Sequence, residues 1–418
     1  MNLYTSTAIA SSLALALATS AQAQTDITYL LWGSPQEGEI WNQIAATFEA
    51  AHPDINVTVE VADWDSYWEK LRVQMAGGTP PDVFAMDAPL YPDWQSRGVL
   101  LNLQPYLDAD PALLDGVYPI TLAAYKTPDG MFGLPRDFQT IVLYYNKDMF
   151  DAAGVAYPND TWTYADFRAA AKALTLDKDG DGTTDQWGFW AEALDPEPFW
   201  GSVIWAHGGD IVDVAAGKTL ITTPEAKAGF QFIADMWLGD KSMPTEQQLA
   251  QYGYDGFLSG VAAMGVSGHW SVPDYATVAF KWDIAPMPIG PAGRATGVNS
   301  AGFVIAKDSK NPAAAWEFVK YAFSDAGQSE LAKIGLAIPV RTSVAQSAAY
   351  LGQPVKIDHS LYVKALDYAH VKPVFKGYEE WSSAVGDALN MVWGGQIGLE
   401  EGLAEAAAGG DAALARNQ

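Results

Sequence analysis

The feature that most restricts the fold is a regular alternation of strand and helix patterns near the start of the chain. Residues 26–32, 55–61 and 82–86 have the length and composition of strands. Helical periodicity separates them, and the first helix follows a capping box formed by Ser34 and Glu37. Strands and helices in this order predict βαβ units and a parallel sheet, whose ligands bind beyond the carboxyl ends of the strands.

The stretch Leu134–Phe150 marks the place where the chain leaves this first unit. It starts with the charged pair Arg136 and Asp137 and continues with the uninterrupted apolar run Ile141–Tyr145, typical of a strand buried on both faces. Because strand and helix patterns resume after it, we predict that it carries the chain into a second lobe. The charged pair would then lie at the crossing, where a cleft opens.

Two lobes also agree with the length of 418 residues, which is more than one hydrophobic core usually serves. The segments Gly297–Ala306 and Ala337–Arg341 are predicted to be the second and third crossings. The predicted division places residues 24–136 and 299–339 in lobe 1, and residues 137–298 and 340–418 in lobe 2.

The first 23 residues are typical of an export signal. The short apolar stretch Ala8–Ser20 precedes Ala21, Gln22 and Ala23, which fit the rule for a cleavage site. The stretch is too short to span a bilayer. We therefore predict cleavage after Ala23 and release into a periplasm, with no lipid anchor because the chain has no cysteine.

Composition excludes several classes of partner. A net charge of −26 argues against nucleic acid and anionic membranes, which require a basic face. Most of the 16 tryptophans are expected in the core, but the surplus as a group needs a further explanation, and aromatic side chains dominate recognition surfaces. Motifs of nucleophilic, zinc and nucleotide enzymes are missing, which favours a binding protein over a secreted glycoside hydrolase. A binder of another small solute, such as a polyamine or a glycerol-conjugated sugar, stays open.

Five segments in a fixed order carry a resemblance to a known family. They are LPRDFQTIVLYYNKDMFDAAGV from Leu134, TWTYADFRAAAKAL from Thr161, MGVSGHW from Met264, KNPAAAWEFVKYAF from Lys310 and GLAIPVR from Gly335. Together they resemble extracellular solute-binding proteins of family 1, the maltose-binding-protein-like group of carbohydrate ABC importers. The resemblance implies an α/β fold of two lobes (periplasmic binding protein, type II) with three interlobe crossings. It also implies a monomer without enzymatic activity that closes on a carbohydrate and delivers it to a membrane permease.

The resemblance also implies a set of ligand residues. These are Trp32, Glu37, Asp63, Trp64, Asp87, Arg136, Asp137, Phe138, His269, Trp270, Asn299, Arg341 and Trp381. Such residues suit a sugar, because carboxylates, amides and guanidinium groups pair with hydroxyls while aromatic rings cover the apolar C–H faces.

Four of these residues have a structural alternative. Glu37 completes a capping box, and Asp63 can cap the helix that follows it. Trp64 lies on an apolar helical stripe, which favours the core. Arg341 can pair with Asp137 across the hinge.

A separate acidic loop matches the first nine positions of an EF-hand. Its candidate ligands for a structural calcium are Asp177, Asp179, Asp181, Thr183 and Asp185. Gly188 stands where the bidentate glutamate belongs, so a more distant acid such as Glu192 would complete the shell. The alternative is an acidic Asx-turn loop without metal. No other cofactor is expected.

Overall fold

The computed structural model describes residues 24–191 and 196–417, so the predicted signal peptide and Glu192 lie outside the described residues. Two mixed sheets, one of six strands and one of four, organise the chain. Helices pack against them, as Pro35–Ala51 does against the strand Ile55–Ala62. The predicted α/β architecture of two lobes is thereby confirmed.

The six-stranded sheet contains the βαβ units predicted from the sequence. Its order is Ile55–Ala62, Thr25–Trp32, Val83–Asp87, Thr296–Ile305 and Ala369–Val371, with Gly133–Thr140 also paired to Thr296–Ile305. The four-stranded sheet runs Trp282–Ala285, Val142–Asn146, Met264–Ser267 and Trp190–Ala191. Three short antiparallel pairs complete the strands: Lys126–Thr127 with Gly130–Met131, Val212–Asp213 with Lys218–Thr219, and Ile289–Gly290 with Gly293–Arg294.

The α-helices of the described residues are distributed over both lobes. They are Pro35–Ala51, Trp64–Ala76, Tyr91–Ser96, Gln104–Ala109, Pro119–Ala123, Lys147–Ala153, Tyr164–Ala173, Gly201–Ala206, Pro224–Ala234, Glu246–Leu249, Val272–Tyr275, Pro312–Phe323, Asp325–Ile334, Thr342–Ala345, Ala348–Leu351, Ser360–Lys364, Tyr378–Trp393 and Leu399–Asn417. None of these helices combines the length and apolarity needed to cross a membrane.

The first crossing lies between two consecutive buried strands. Gly133–Thr140 is buried and belongs to the six-stranded sheet, whereas Val142–Asn146 is an interior strand of the four-stranded sheet. All five residues of the second strand are buried, as the apolar run predicted. The hydroxyl of Thr296 donates to the carbonyl of Ile141 at 2.7 Å, so the first and second crossings are hydrogen-bonded to each other.

Strand pairing extends past the predicted limits of the lobes. The first crossing strand stays in the six-stranded sheet up to Thr140, and the second enters it at Thr296. The predicted limits at 136 and 299 therefore fall inside paired strands of the six-stranded sheet. Ala369–Val371 also joins the first sheet, although the predicted division assigned it to lobe 2.

Candidate functional site

Strand register brings two carboxylates together at the carboxyl edge of the six-stranded sheet. Ala301 is opposite Asp87 in one neighbouring strand and opposite Asp137 in the other. Trp32 ends the first strand at the same edge, where it is in register with Ala62. The edge forms one wall of a cavity of about 530 Å³, a volume typical of small-molecule sites.

Eight of the predicted ligand residues line this cavity. They are Trp32, Glu37, Trp64, Asp87, Arg136, Asp137, Trp270 and Asn299. Trp64 is 44% exposed and packs edge-on against Trp32, with ring centroids 5.1 Å apart. The alternative of a core position for Trp64 is therefore wrong, because the side chain is exposed and lies at the cavity wall.

Arg136 and Asp137 form a buried ion pair at the first crossing. The Nε atom of Arg136 donates to Asp137 at 2.6 Å, and Nη1 donates to the hydroxyl of Tyr29 at 3.3 Å. The guanidinium also lies 5.5 Å from the ring of Trp32 and 5.4 Å from that of Trp41. Burial opposes its charge, but the Asp137 carboxylate and the Tyr29 hydroxyl together outweigh burial and raise the pKa of Arg136.

A second charged cluster lies at Asp87. The side-chain amide of Asn299 donates to Asp87 at 2.6 Å. The ammonium of Lys372 is 3.6 Å from a carboxylate oxygen of Glu197 and 4.0 Å from one of Asp87. The Asn299 amide oxygen is buried and has no hydrogen-bond partner in the described residues. That oxygen is therefore available to a hydroxyl donor in the cavity.

Glu37 both caps a helix and lines the cavity. The backbone N–H of Ser34 donates to the Glu37 carboxylate at 2.6 Å, which confirms the capping box. Burial raises the pKa of Glu37 to about 7, although the Ser34 hydrogen bond and the Arg136 charge favour the ionised form. The structural and the ligand roles considered for Glu37 are thus compatible.

The turn Gly268–Trp270 presents an aromatic ring from the second lobe. The hydroxyl of Tyr144 donates to the carbonyl of Gly268 at 2.7 Å, and the backbone N–H of His269 donates to the side chain of Gln139 at 3.0 Å. The indole of Trp270 lies so close to Gly268 that any Cβ there would overlap it. A glycine is therefore required for this position of the ring at the cavity wall.

Five predicted ligand residues, Asp63, Phe138, His269, Arg341 and Trp381, do not line the cavity. Asp63 is exposed and accepts the backbone N–H of Ser66 at 3.1 Å, which is the capping role considered for it. Phe138 points to the opposite side of its strand from Asp137 and packs against Tyr118.

His269 is fully buried beside a second histidine. Its Nε2 atom lies 3.1 Å from Nδ1 of His359, and Nε2 of His359 lies 2.9 Å from the carbonyl oxygen of Val355. Burial lowers the pKa of His269 to about 3, which keeps its ring neutral. His269 therefore supports the turn behind Trp270 and is not itself at the cavity.

Arg341 and Trp381 have structural positions instead of ligand contacts. Arg341 donates to three backbone carbonyls, those of Phe323 at 2.9 Å, Asp115 at 2.8 Å and Leu113 at 2.7 Å. Asp137, the partner considered for it, pairs with Arg136 instead. Trp381 is fully buried and donates to the Thr219 hydroxyl at 2.9 Å. The ring packs in the core of the second lobe, because Trp381 lies on the buried face of its helix.

Seven residues of the cavity wall were not predicted: Asp65, Gln139, Glu197, Ala301, Leu336, Ala337 and Lys372. Gln139 could have been predicted, because it lies two residues after Asp137 and side chains two positions apart in a strand share a face. Glu197 and Lys372 lie on connecting segments with no pattern to mark them.

The acidic loop brings three of its predicted ligands together. Carboxylate oxygens of Asp177, Asp179 and Asp185 lie within 4.8 Å of one another. Backbone N–H groups of Gly180 and Gly182 donate to Asp177 at 2.7 and 2.8 Å. These turns also fit the metal-free alternative, and a calcium ion there stays a prediction.

A family model for bacterial extracellular solute-binding proteins matches residues 32–329. The chain belongs to this family. An ABC substrate-binding protein of Listeria monocytogenes, solved with cycloalternan, superimposes with a TM-score of 0.83 and 27% identity over 94% of this chain and 98% of its own. A Brucella abortus (strain 2308) protein, named for binding without a stated ligand, is 25% identical over 96% of both chains. The maltotriose-binding protein of Pyrococcus abyssi (strain GE5 / Orsay) is 23% identical over 87% of this chain and 74% of its own. The resemblance seen in the sequence is confirmed.

Proposed function

We propose that the protein captures a carbohydrate in the interlobe cavity and delivers it to the permease of an ABC importer. The observation that carries this proposal is the pairing of aromatic rings that are at least partly exposed with fixed polar groups. Trp64 and Trp270 offer faces for the apolar side of a sugar ring. Asp87 and the amide oxygen of Asn299 offer acceptors for hydroxyls around the same space.

The charge pairing in the cavity supports binding without turnover. Glycoside cleavage uses two carboxylates, one of them protonated. Here Asp137 is paired with Arg136, while Asp87 and Glu197 share Lys372. Three of the four acids that line the described cavity wall beside Glu37 are thus paired with cations, which supports binding over cleavage.

Family membership and the predicted leader support an exported location. We propose that residues 1–23 direct the chain to the periplasm and are removed there, and that the mature protein acts as a monomer. The relatives named as ABC substrate-binding and maltotriose-binding proteins support a permease partner and a carbohydrate cargo.

The test measures binding and ligand integrity together. The mature chain is mixed with a panel of mono- and oligosaccharides that includes maltotriose, mannotriose, glucose and galactose, and with spermidine. A saccharide that binds should raise the melting temperature, confirmed by calorimetry, because a ligand of the folded state stabilises it. Chromatography after several hours should recover that sugar unchanged. A shift with spermidine alone, or turnover of the bound sugar, would overturn the proposal.

A further inference from the structure

Each cation of the cavity wall already has an anionic partner. Among the described residues that line the cavity, only Arg136 and Lys372 carry positive charge. Arg136 is hydrogen-bonded to Asp137 at 2.6 Å and is enclosed by aromatic rings. Two further arginines that could receive an anion lie elsewhere. Arg341 donates to backbone carbonyls, and Arg294 donates to the carbonyl of Asp160.

The ammonium of Lys372 lies close to two carboxylates. The backbone N–H of this residue donates to the carbonyl of Val298 at 2.9 Å, which fixes it at the end of an edge strand of the first sheet. The side chain is largely buried, and its ammonium lies between the carboxylates of Asp87 and Glu197, which are also buried. One ammonium thus faces two carboxylates, so the cluster retains a net negative charge.

The same cluster joins the two lobes. Asp87 ends a strand of the six-stranded sheet, and Lys372 follows another strand of that sheet. Glu197 precedes the helix Gly201–Ala206, which packs against Pro224–Ala234 in the second lobe. The cluster therefore lies where the two lobes meet at the cavity.

We propose that the cavity selects an uncharged sugar over its carboxylated or phosphorylated counterpart, with Asp87 and Glu197 as the specificity-determining residues. This rests on the proposed function. An anionic group needs a cation that is free to pair with it, and the two carboxylates occupy Lys372. Counting Glu37, Asp65 and Asp137, the described part of the wall carries five acids and two cations near the ligand space, so an added anion is repelled. Hydroxyls of an uncharged sugar act as donors to these acids without adding charge.

The experiment compares matched neutral and anionic sugars on the mature chain. Glucose is paired with glucuronate and glucose 1-phosphate, galactose with galacturonate, and maltotriose with its terminal uronate, each measured by calorimetry and thermal shift. The wild type should bind at least one neutral member, and its anionic partner should bind at least about tenfold more weakly. The double variant Asp87→Asn, Glu197→Gln should raise the ratio of anionic to neutral affinity by about tenfold or more, because two of the acids that repel an anion and face the Lys372 ammonium lose their charge.

The control variant is Asp274→Asn, which removes one negative charge close to the cavity without touching Lys372. It should change the affinity ratio much less than the double variant does, and unchanged circular dichroism should show that both variants are folded. Equal or tighter binding of an anionic member by the wild type would overturn the inference and leave a sugar-binding function standing. A ratio that the double variant does not change, or that Asp274→Asn changes equally, would overturn the assignment to Asp87 and Glu197. If neither neutral nor anionic sugars bind, the proposed function itself fails.

Discussion

Replacing Asp137 by alanine should destabilise the fold strongly as well as weaken binding. Asp137 is 1% exposed and Arg136 is 5% exposed, so the substitution leaves a buried guanidinium without its carboxylate. Breaking a buried ion pair from one side typically costs about 3–5 kcal/mol in the free energy of unfolding. The remaining donor contact of Arg136, to the hydroxyl of Tyr29 at 3.3 Å, is neutral and long, so it cannot replace the lost charge.

The matched control is Asp63→Ala, which makes the same chemical change at an exposed helix cap. That carboxylate is exposed and accepts one backbone N–H, from Ser66, so its loss should lower the unfolding midpoint far less than the loss of Asp137. A third variant, Arg136→Met with Asp137→Ala, removes both charges and should recover most of the stability lost in the single variant. Urea unfolding followed by tryptophan fluorescence and circular dichroism gives the midpoints of all three.

Two results would refute this reasoning. One is a midpoint for Asp137→Ala that is shifted no further than that of Asp63→Ala. The other is a double variant as unstable as the single variant, which would mean that packing of Arg136, and not its charge, is what Asp137 supports.

Three further predictions concern the cavity and the acidic loop. Trp270→Ala should weaken sugar binding by about tenfold in calorimetry. The melting temperature without ligand should be nearly unchanged, because the ring is only partly buried. An affinity equal to that of the wild type would show that Trp270 is not part of the site. The pKa of Glu37, about 7 in the folded state, exceeds its ordinary value of 4.5, so the folded state keeps a proton that the unfolded state releases. The free energy of unfolding should therefore fall as pH rises from about 4.5 to 7, by at most about 3 kcal/mol because the side chain is partly exposed. The variant Glu37→Gln should lack this decrease. The same dependence of stability on pH in the wild type and in Glu37→Gln, from about pH 4 to 8, would contradict the prediction. Millimolar calcium should raise the melting temperature of the wild type and not of Asp177→Asn, whereas identical values in calcium and in chelator would rule out the metal.

Much of the fold could be predicted because its signals are local. The capping box of Ser34 and Glu37 and the buried run at Ile141–Tyr145 depend on residues a few positions apart. Strand and helix lengths then restrict the topology to parallel units with a site at the carboxyl edge, which is where Asp87 and Asp137 lie.

The class of fold, the first crossing and the kinds of side chain available to a ligand could be predicted from the chain alone. Which of these side chains meet depends on tertiary packing. Trp270 and Trp381 are the same residue type, yet one ring faces the cavity and the other is enclosed in the second lobe. Glu197 and Lys372 are far apart in the chain and become partners only when the two lobes pack together. Burial and charge pairing depend on contacts between segments that are distant in the chain, and local sequence patterns do not predict those contacts.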